Sequence, residues 1–231
     1  MIFATILAGG TGTRMGETEK PKQFLLLGEK PILIHTIEKF ALNPKFNEII
    51  VLTPKEWINY TEDLIKKYIP NENIIVIESG KSRLETLKNG IDYILENYDE
   101  DDNIVVTHDA VRPFVTHRII EDNIKYASEF GACDTVIPAT DTIVKSEDGK
   151  IISEIPKRDK MYQGQTPQSF NLNKLKKLLN QLTEDEKESL TDAAKIFTLK
   201  GEKVYLVEGE VSNLKITYPY DIKLANSIIS H

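Results

Sequence analysis

Residues 2–16 read IFATILAGGTGTRMG, and they are the most informative segment of the chain about its fold. Its first six residues, 2–7, are typical of a buried strand, which then runs directly into Gly9 and Gly10. A buried parallel strand reads as a nearly continuous apolar run, because helices cover both faces of its sheet. Glycines lack a Cβ, so their backbone N–H groups approach phosphate oxygens closely. The stretch therefore predicts a first strand that ends in an anion-binding loop.

The same alternation of strands and helices continues along the chain. Further strands are predicted at 48–53, 73–77, 103–107 and 134–138, and helices at 31–41, 55–68, 81–96 and 116–130. Strands that alternate with helices form right-handed crossovers. We therefore predict an α/β fold with a Rossmann-like, mostly parallel sheet and helices on both faces, built as a single domain of residues 1–231.

The alternation stops after residue 139. Residues 141–145 and 150–155 read as two strands around an Asp-Gly turn, which predicts an inserted β-hairpin arm at about 140–157. An isolated hairpin is only marginally stable, so we expect the arm to pair with a second copy of the chain in a homodimer, the alternative being that it folds back on its own domain. Beyond the arm, we predict helices at 171–181, 183–197 and 219–229 and a strand at 203–207.

The composition limits the classes of function. A net charge of −7 disfavours general nucleic-acid binding, because no overall positive field attracts a phosphate backbone. No apolar stretch approaches the roughly 18 residues of a membrane span, and no basic segment precedes the apolar start. The single cysteine, Cys133, cannot form an internal disulfide and reads as a core residue. We expect a cytoplasmic protein that binds neither nucleic acid nor membranes.

Two cations accompany the glycine loop. Arg14 and Lys22 add positive charge near the backbone N–H groups of residues 7–10. The dinucleotide pattern G-x-G-x-x-G is not matched, since Met15 stands where the third glycine belongs, and the Walker pattern is also not matched. The loop therefore indicates a phosphate site of another type, the alternative being a mobile turn with solvated charges.

Two polar motifs follow later predicted strands, where ligands of open α/β sheets bind. Residues 79–86, SGKSRLET, offer N–H groups and hydroxyls suited to a base or ribose, or form an ordinary helix cap. Residues 107–114, THDAVRPF, place Asp109 opposite the phosphate loop, where a carboxylate could hold Mg²⁺. Arg112 could neutralise a phosphate or pair with Asp109. His108 suits packing better than a role as a base.

Three further motifs lie towards the end of the chain. They comprise Lys157-Arg158 with YQGQTPQ at 162–168, LTDA at 190–193 and SNLKIT at 212–217. Each has a structural alternative, namely a hairpin exit, a helix cap and an edge strand. Their order along the chain is more informative than any one of them.

Taken in order, the motifs resemble those of the cytidylyltransferases that activate small polyol phosphates. The matching residues are LAGG at 7–10, Arg14, PKQ at 21–23, HDAVRP at 108–113, QTPQ at 165–168, Thr191-Asp192 and NLKIT at 213–217. The resemblance covers nearly the whole chain. It implies transfer of CMP from CTP to a polyol phosphate, with Mg²⁺ as cofactor, by a homodimer.

The resemblance also implies a role for individual residues. The residues implied to bind CTP are Leu7, Ala8, Gly9, Gly10, Gly80, Lys81, Ser82, Arg83, Leu84, Glu85, Thr86, Asp109 and Arg112. Asp109 would also lie near Mg²⁺. Arg14 and Lys22 would stabilise the transition state, whereas Arg158 and Lys215 would position the acceptor phosphate.

Two branches of the family differ in their acceptor. One uses ribitol 5-phosphate in teichoic-acid synthesis, and the other uses 2-C-methyl-D-erythritol 4-phosphate in isoprenoid synthesis. The second branch usually has Asp-Ala-Ala-Arg-Pro and Thr-Asp-acidic-Ala, where this chain has Val111 and Ala193. The segments 162–168 and 190–193 look like the ribitol-phosphate branch, which we favour. A regulatory nucleotide-binding domain without catalysis is a further alternative, disfavoured because the charged site residues are all present.

Overall fold

A computed structural model describes residues 1–10, 12, 20–70, 73–98 and 102–229. The strands are β1 (Ile2–Leu7), β2 (Leu26–Leu27), β3 (Lys30–Pro31), β4 (Glu48–Thr53), β5 (Ile74–Glu78), β6 (Ile104–Asp109), β7 (Ala132–Pro138), β8 (Tyr162–Asn171) and β9 (Tyr205–Glu208). The helices are α1 (Ile32–Ala41), α2 (Ile58–Tyr68), α3 (Arg83–Asn97), α4 (His117–Phe130), α5 (Leu172–Leu179), α6 (Glu184–Glu188), α7 (Ala194–Leu199) and α8 (Pro219–Ile229). Short 3₁₀ turns lie at Lys22–Phe24, Lys55–Trp57 and Arg158–Lys160.

Seven strands form the central sheet in the order β5-β4-β1-β6-β8-β7-β9. Six of them run in the same direction, and β8 runs antiparallel to both of its neighbours, β6 and β7. The two-residue strands β2 and β3 form a separate small ladder. The prediction of a mostly parallel sheet is thus confirmed.

Helices cover both faces of this sheet. On one face, α1, α2 and α4 bury side chains such as Phe40, Leu64 and Ile120 against it. On the other face, α3, α5 and α7 bury Ile91 and Phe197 among others. Side chains alternate across each strand, so a strand rich in apolar residues contributes to both cores at once. This explains the near-continuous apolar runs in the sequence.

The carboxyl ends of the central strands meet at one edge of the sheet. Leu7, the last residue of β1, pairs with Leu52 of β4 on one side and with Asp109 of β6 on the other. The backbone N–H of Ala8 continues the ladder by donating to the Leu52 carbonyl at 2.8 Å. The loops that leave these strands therefore converge above this edge.

In the second half of the chain, one strand is missed, one predicted helix is divided and one structural alternative does not form. Residues 162–171 form strand β8, which we did not predict, whereas the helix predicted at 171–181 is present as α5. The predicted helix 183–197 is two short helices, α6 and α7, separated by residues 189–193. The segment 212–217 is an irregular loop, so it is not the edge strand considered as an alternative.

The predicted arm has less regular structure than a two-stranded hairpin. Its turn forms at Asp148, whose Oδ1 accepts hydrogen bonds from the N–H groups of Lys150 and Ile151. Within the described residues, the ladder of the arm is a single antiparallel bridge between Lys145 and Glu154. Elsewhere in the described chain, no helix is both long and apolar enough to cross a membrane.

Candidate active site

A cavity of about 370 Å³ opens at the carboxyl edge of the sheet. It is lined by Leu7, Ala8, Gly9, Gly10, Gly12, Lys22, Gln23, Gly80, Lys81, Ser82, Arg83, Thr86, Asp109, Ala110, Val111 and Lys215. Three separate motifs of the sequence, around residues 7–10, 80–86 and 109, are therefore brought together with Lys22 and Lys215. The lining is rich in backbone N–H groups and cations, as a phosphate-binding cavity requires.

The glycine loop is held in place by its neighbours. Gln23 is buried, and its Nε2 donates to the carbonyl oxygen of Ala8 at 2.6 Å. A Cβ on Gly9 would lie 2.8 Å from Oγ of Ser79, so the loop and the 79–86 segment touch too closely for any larger residue. The loop is consequently attached both to the Lys22–Phe24 turn and to the segment that precedes α3.

Lys22 connects two walls of the cavity. Its side chain is largely buried, and Nζ donates to the carbonyl oxygen of Ile216 at 3.2 Å. Ile216 follows Lys215, and both lysines line the cavity. The second predicted cation of the loop, Arg14, lies outside the described residues.

The segment 80–86 organises itself around the N-terminus of α3. Ser82 caps the helix by accepting a hydrogen bond from the N–H of Glu85 at 3.1 Å. Thr86 Oγ1 donates to the Ser82 carbonyl at 2.8 Å and accepts from the N–H of Gly80 at 3.1 Å. A Cβ on Gly80 would lie 2.4 Å from Cβ of Glu85, so glycine is required there. The helix N-terminus thus faces the cavity, where it favours anions.

Two residues of this segment do not line the cavity. Leu84 packs against the hydrophobic core around α3. Glu85 turns its carboxylate back to accept a hydrogen bond from the N–H of Lys81 at 2.7 Å. Both residues therefore stabilise the segment by contacts within the protein. Their predicted contact with the nucleotide stays a prediction.

Asp109 forms the centre of the charged cluster. Its Oδ1 accepts from Nη1 of Arg83 at 2.6 Å, and its Oδ2 lies 2.9 Å from Nζ of Lys215. Nε of Arg112 approaches the same Oδ2 at 3.4 Å. One buried carboxylate therefore holds three cations from three distant parts of the chain in a fixed arrangement.

The charges decide the ionisation state of this carboxyl group. Burial alone would raise the pKa of Asp109, but the nearby charges of Arg83, Lys215 and Arg112 hold it well below its ordinary value. The cluster carries a net positive charge, because three cations surround one anion. It is therefore suited to attract and orient phosphate groups.

The same geometry disfavours a magnesium ion held by the protein alone. Both oxygens of Asp109 already contact cations, and a divalent cation at this place would be repelled by them. The described residues contain no group of three or more acidic, histidine or cysteine side chains that could hold a metal. The residues fit a magnesium ion that arrives on a triphosphate better than a resident ion.

Arg112 contacts the cluster from outside the cavity. Besides Asp109, its guanidinium donates through Nη1 to the carbonyl oxygen of Asn213 at 2.8 Å, and it is not part of the cavity lining. Asn213 is buried and donates through Nδ2 to the carbonyl oxygen of Thr166 at 2.9 Å. No role was predicted for Asn213 itself. Its place within the motif at 213–217 is the sequence feature that could have indicated a role in the site.

His108 is a packing residue, as we predicted. Its ring is buried 5.1 Å from the ring of Phe40, Nδ1 pairs with Thr166 Oγ1 at 3.0 Å, and Nε2 pairs with the Arg112 carbonyl at 3.1 Å. Burial lowers the pKa of His108 to about 4. Cys133 is also buried, which raises the pKa of its thiol to about 12, and both side chains are therefore unsuited to proton transfer or nucleophilic attack.

Arg158 lies apart from the cavity in the single chain. It belongs to the exposed base of the arm, and its Nη1 donates to the carbonyl oxygen of Thr140 at 3.1 Å. The structure brings Lys22 and Lys215 together with Asp109, whereas it does not bring Arg158 to them within one chain.

A mostly parallel sheet with a glycine loop and a positive cluster at its carboxyl edge is the arrangement of a nucleotidyltransferase. A family model of 2-C-methyl-D-erythritol 4-phosphate cytidylyltransferase matches residues 2–231. The chain belongs to this family of cytidylyltransferases.

Similarities to individual relatives relate the chain to members of this family. It is 54% identical over 230 residues to a ribitol-5-phosphate cytidylyltransferase of Lactiplantibacillus plantarum, covering 99% of this chain and 98% of the relative. The structure of 4-diphosphocytidyl-2C-methyl-D-erythritol synthase from Anaerococcus prevotii has a TM-score of 0.84 at 27% identity, covering 100% of this chain and 96% of that one. A 2-C-methyl-D-erythritol 4-phosphate cytidylyltransferase from Francisella tularensis has a TM-score of 0.81 at 28% identity, covering 98% of both chains. These similarities confirm the predicted fold and the predicted class of enzyme.

Proposed function

We propose that this protein transfers CMP from CTP to D-ribitol 5-phosphate, giving CDP-ribitol and pyrophosphate. The observation that carries the proposal is the 54% identity along 99% of the chain to a ribitol-5-phosphate cytidylyltransferase. The segments 162–168 and 190–193 support the same acceptor. CDP-ribitol would serve as a precursor of teichoic acid in the cytoplasm.

The proposed reaction needs positioning more than proton transfer. A phosphate monoester has a second pKa near 6, so at pH 7 the acceptor phosphate is already an anionic nucleophile. One of its oxygens forms a bond to the α-phosphorus of CTP while the bond from that phosphorus to the bridging oxygen breaks, and pyrophosphate leaves with the electron pair. The site must align two anions that repel each other and stabilise the departing charge. A buried, neutral His108 is compatible with this chemistry because no base is required.

The charged residues of the cavity fit these tasks. Lys22 and Lys215 both line the cavity, where they would hold the triphosphate and the acceptor phosphate. Asp109 keeps Lys215 and Arg83 in position through contacts of 2.9 and 2.6 Å. The loop 7–10 and the N-terminus of α3 would bind the remaining phosphate oxygens and the ribose. We propose that Arg14 joins Lys22 in stabilising the transition state.

Magnesium enters the proposal as part of the substrate. Mg²⁺ usually retains several waters and is bound largely by substrate phosphates. We therefore propose that CTP reacts as its magnesium complex, in which the ion neutralises charge on the phosphates. Asp109 would then act on the complex mainly by orienting the surrounding cations.

We further propose that two copies of the chain share their sites. The arm exposes Val144, Ile151, Ile152 and Ile155, of which Ile151 is 70% exposed. A second arm related by a two-fold axis would cover these apolar side chains. Arg158 at the base of the arm would then reach the cavity of the partner and bind the acceptor phosphate there.

A substrate panel tests the proposed reaction. Pyrophosphate release is measured with each of the four nucleoside triphosphates, combined with ribitol 5-phosphate or 2-C-methyl-D-erythritol 4-phosphate. We expect the highest kcat/KM with CTP and ribitol 5-phosphate, and no release in excess EDTA. Higher kcat/KM with methylerythritol phosphate would transfer the assignment to that acceptor. If no pair of substrates is turned over, the alternative function of a nucleotide-binding regulatory domain is favoured.

A further inference from the structure

Asp134 lies next to the proposed active site but outside the cavity described above. It belongs to β7, and strand register places it beside Gln168 of β8, which in turn lies beside Thr107 of β6. Residues that face each other across neighbouring strands project to the same side of a sheet. Thr107 lines a small pocket together with the segment 190–193. Asp134 therefore belongs to a polar row that runs across the sheet towards this segment.

Gln168 connects Asp134 to that segment. Its Nε2 donates to Oδ1 of Asp134 at 3.0 Å, and its Oε1 accepts from the N–H of Ala193 at 3.1 Å. Because the amide of Gln168 is fixed from both ends, the orientation of the Asp134 carboxyl group is fixed as well. Ala193 directly follows Thr191-Asp192, a pair that belongs to the segments resembling the ribitol-phosphate branch.

One oxygen of Asp134 remains open. No described residue donates a hydrogen bond to Oδ2, and the carboxyl group is only half-buried. Gly164 of β8, whose register partner is Val136, lies nearby, and a Cβ added to it would lie 3.9 Å from Oδ2. Since Gly164 has no side chain, the space beside this oxygen is available to a ligand.

Nearby charges affect the ionisation of this carboxyl group. Burial raises the pKa of Asp134 to about 7, and the nearby charge of Asp192 adds to the increase. Gln168, Arg112 and Arg83 act in the opposite direction. Arg83, which pairs with Asp109 and lines the cavity, is therefore one of the charges that act on Asp134. A partly buried carboxyl group with one donor has an oxygen left for a further hydrogen bond, which favours a role in binding.

We propose that Asp134 is a specificity-determining residue whose carboxyl group accepts hydrogen bonds from hydroxyl groups of the acceptor. This inference rests on the proposed function, in which the acceptor is a polyol phosphate. With its phosphate at the cations, the polyol extends along the row towards Asp134, and a hydroxyl donates to Oδ2. Ribitol 5-phosphate has one main-chain carbon and one hydroxyl more than methylerythritol phosphate, which instead carries an apolar methyl branch. A site that binds hydroxyls with a carboxylate discriminates against analogues that lack them.

The Asp134→Asn variant tests the contact by steady-state kinetics. We expect the KM for ribitol 5-phosphate to rise by roughly 10–100-fold, with the KM for CTP within about twofold of the wild type. The preference for ribitol 5-phosphate over methylerythritol phosphate should fall. Asp122→Asn is the matched control, because Asp122 is an exposed carboxylate paired with Arg118 on α4, and its kinetics should be unchanged.

A deoxy analogue distinguishes direct contact from an indirect effect. Ribitol 5-phosphate lacking one hydroxyl is compared with the parent, position by position, in wild type and Asp134→Asn. For the hydroxyl that Asp134 binds, the losses should be strongly non-additive, because either change removes the same hydrogen bond. Additive losses at every position, or an unchanged KM for ribitol 5-phosphate, would overturn the inference. Failure of the wild type to use ribitol 5-phosphate would instead refute the proposed function.

A second variant covers the case in which Asp134→Asn fails to fold. Gly164→Ala adds a methyl group 3.9 Å from Oδ2 without changing any charge. It should raise the KM for ribitol 5-phosphate by roughly 10-fold or more and leave the KM for CTP unchanged, since a methylene-sized change in a pocket has an effect of this order. If Asp134→Asn is unfolded and Gly164→Ala has wild-type kinetics, the inference is wrong.

Discussion

The Asp109 cluster and the arm at 140–157 differ in how well their side chains are matched within one chain. The cluster buries a charge next to opposite charges, whereas the arm exposes apolar side chains. Asp109 is 4% exposed and contacts three cations, so its charge is compensated inside the chain. In the described part of the arm, one bridge joins Lys145 to Glu154, and Ile151 is 70% exposed.

The contrast shows which part of the molecule is complete by itself. The cluster needs no second chain, because Asp109 forms its ion pairs with Arg83 and Lys215 of the same chain. The arm buries little apolar surface, and a hairpin of this kind is marginal without something to pack on. Changes in the cluster should therefore act within one chain, whereas changes in the arm should act between chains.

The largest effect is expected from removing a cation of the cavity. Lys22→Ala should lower kcat by roughly 10²–10³-fold, because charge stabilisation in the transition state is lost. We expect the same for Arg14→Ala. The measurement is kcat for pyrophosphate release at saturating CTP and acceptor, with thermal unfolding recorded for each variant.

Two controls separate charge from packing in this test. Lys22→Met keeps most of the aliphatic stem of the buried side chain and should lose as much kcat as Lys22→Ala. Lys66→Ala removes an exposed cation on α2 and should leave kcat unchanged. Near-normal kcat in Lys22→Met would mean that the stem, and not the charge, is what the site needs.

A smaller effect is expected on stability when Asp109 is neutralised. The cations hold the pKa of Asp109 well below its ordinary value, whereas an unfolded Asp titrates near 3.9. The stabilisation is therefore present above about pH 4 and is lost as the pH falls towards the folded-state pKa. Asp109→Asn should lower the free energy of unfolding at pH 7 by about 2–4 kcal/mol, less than for a fully buried pair because Arg83 and Lys215 are partly exposed.

Urea unfolding at pH 7, 5 and 3 measures this difference. The gap between the wild type and Asp109→Asn should be similar at pH 7 and 5 and smaller at pH 3. Asp122→Asn, which breaks an exposed pair, should change stability by less than about 1 kcal/mol. A gap that stays constant down to pH 3 would show that the cations do not stabilise the Asp109 carboxylate.

The smallest expected signal tests whether the arm acts between chains. Lys22→Ala and Arg158→Ala are each inactive in the proposed shared site, and they are mixed one to one under subunit exchange. Each mixed dimer then has one site with both defects and one intact site. Random exchange makes half of the dimers mixed, so about one-quarter of wild-type activity should return. If Arg158 acted in its own chain, every site would keep one defect. Zero recovery with exchange confirmed by mass-tagged subunits would rule out the shared site.

The sequence predicted the parallel strands and the meeting of the motifs, because apolar periodicity marks buried strands and their carboxyl ends share one edge. Strand β8 was missed since its residues, YQGQTPQSFN, are mostly polar and include a proline. It is recognisable only from its pairing with β6 and β7. The contacts of Asp109 with Arg83 and Lys215 were also not predictable, because they join segments far apart in the chain.

The position of β8 has a consequence for how the chain tolerates changes in length. The strand lies between β6 and β7, and it carries Thr166, whose hydroxyl accepts a hydrogen bond from the N–H of Asp109 at 3.1 Å. Adding or deleting one residue between 162 and 168 would turn the following side chains to the opposite face of the sheet. Among the described residues, the tip of the arm near 146–151 pairs with no strand of either sheet. Length variation among relatives should therefore be concentrated at the tip and be absent from β8.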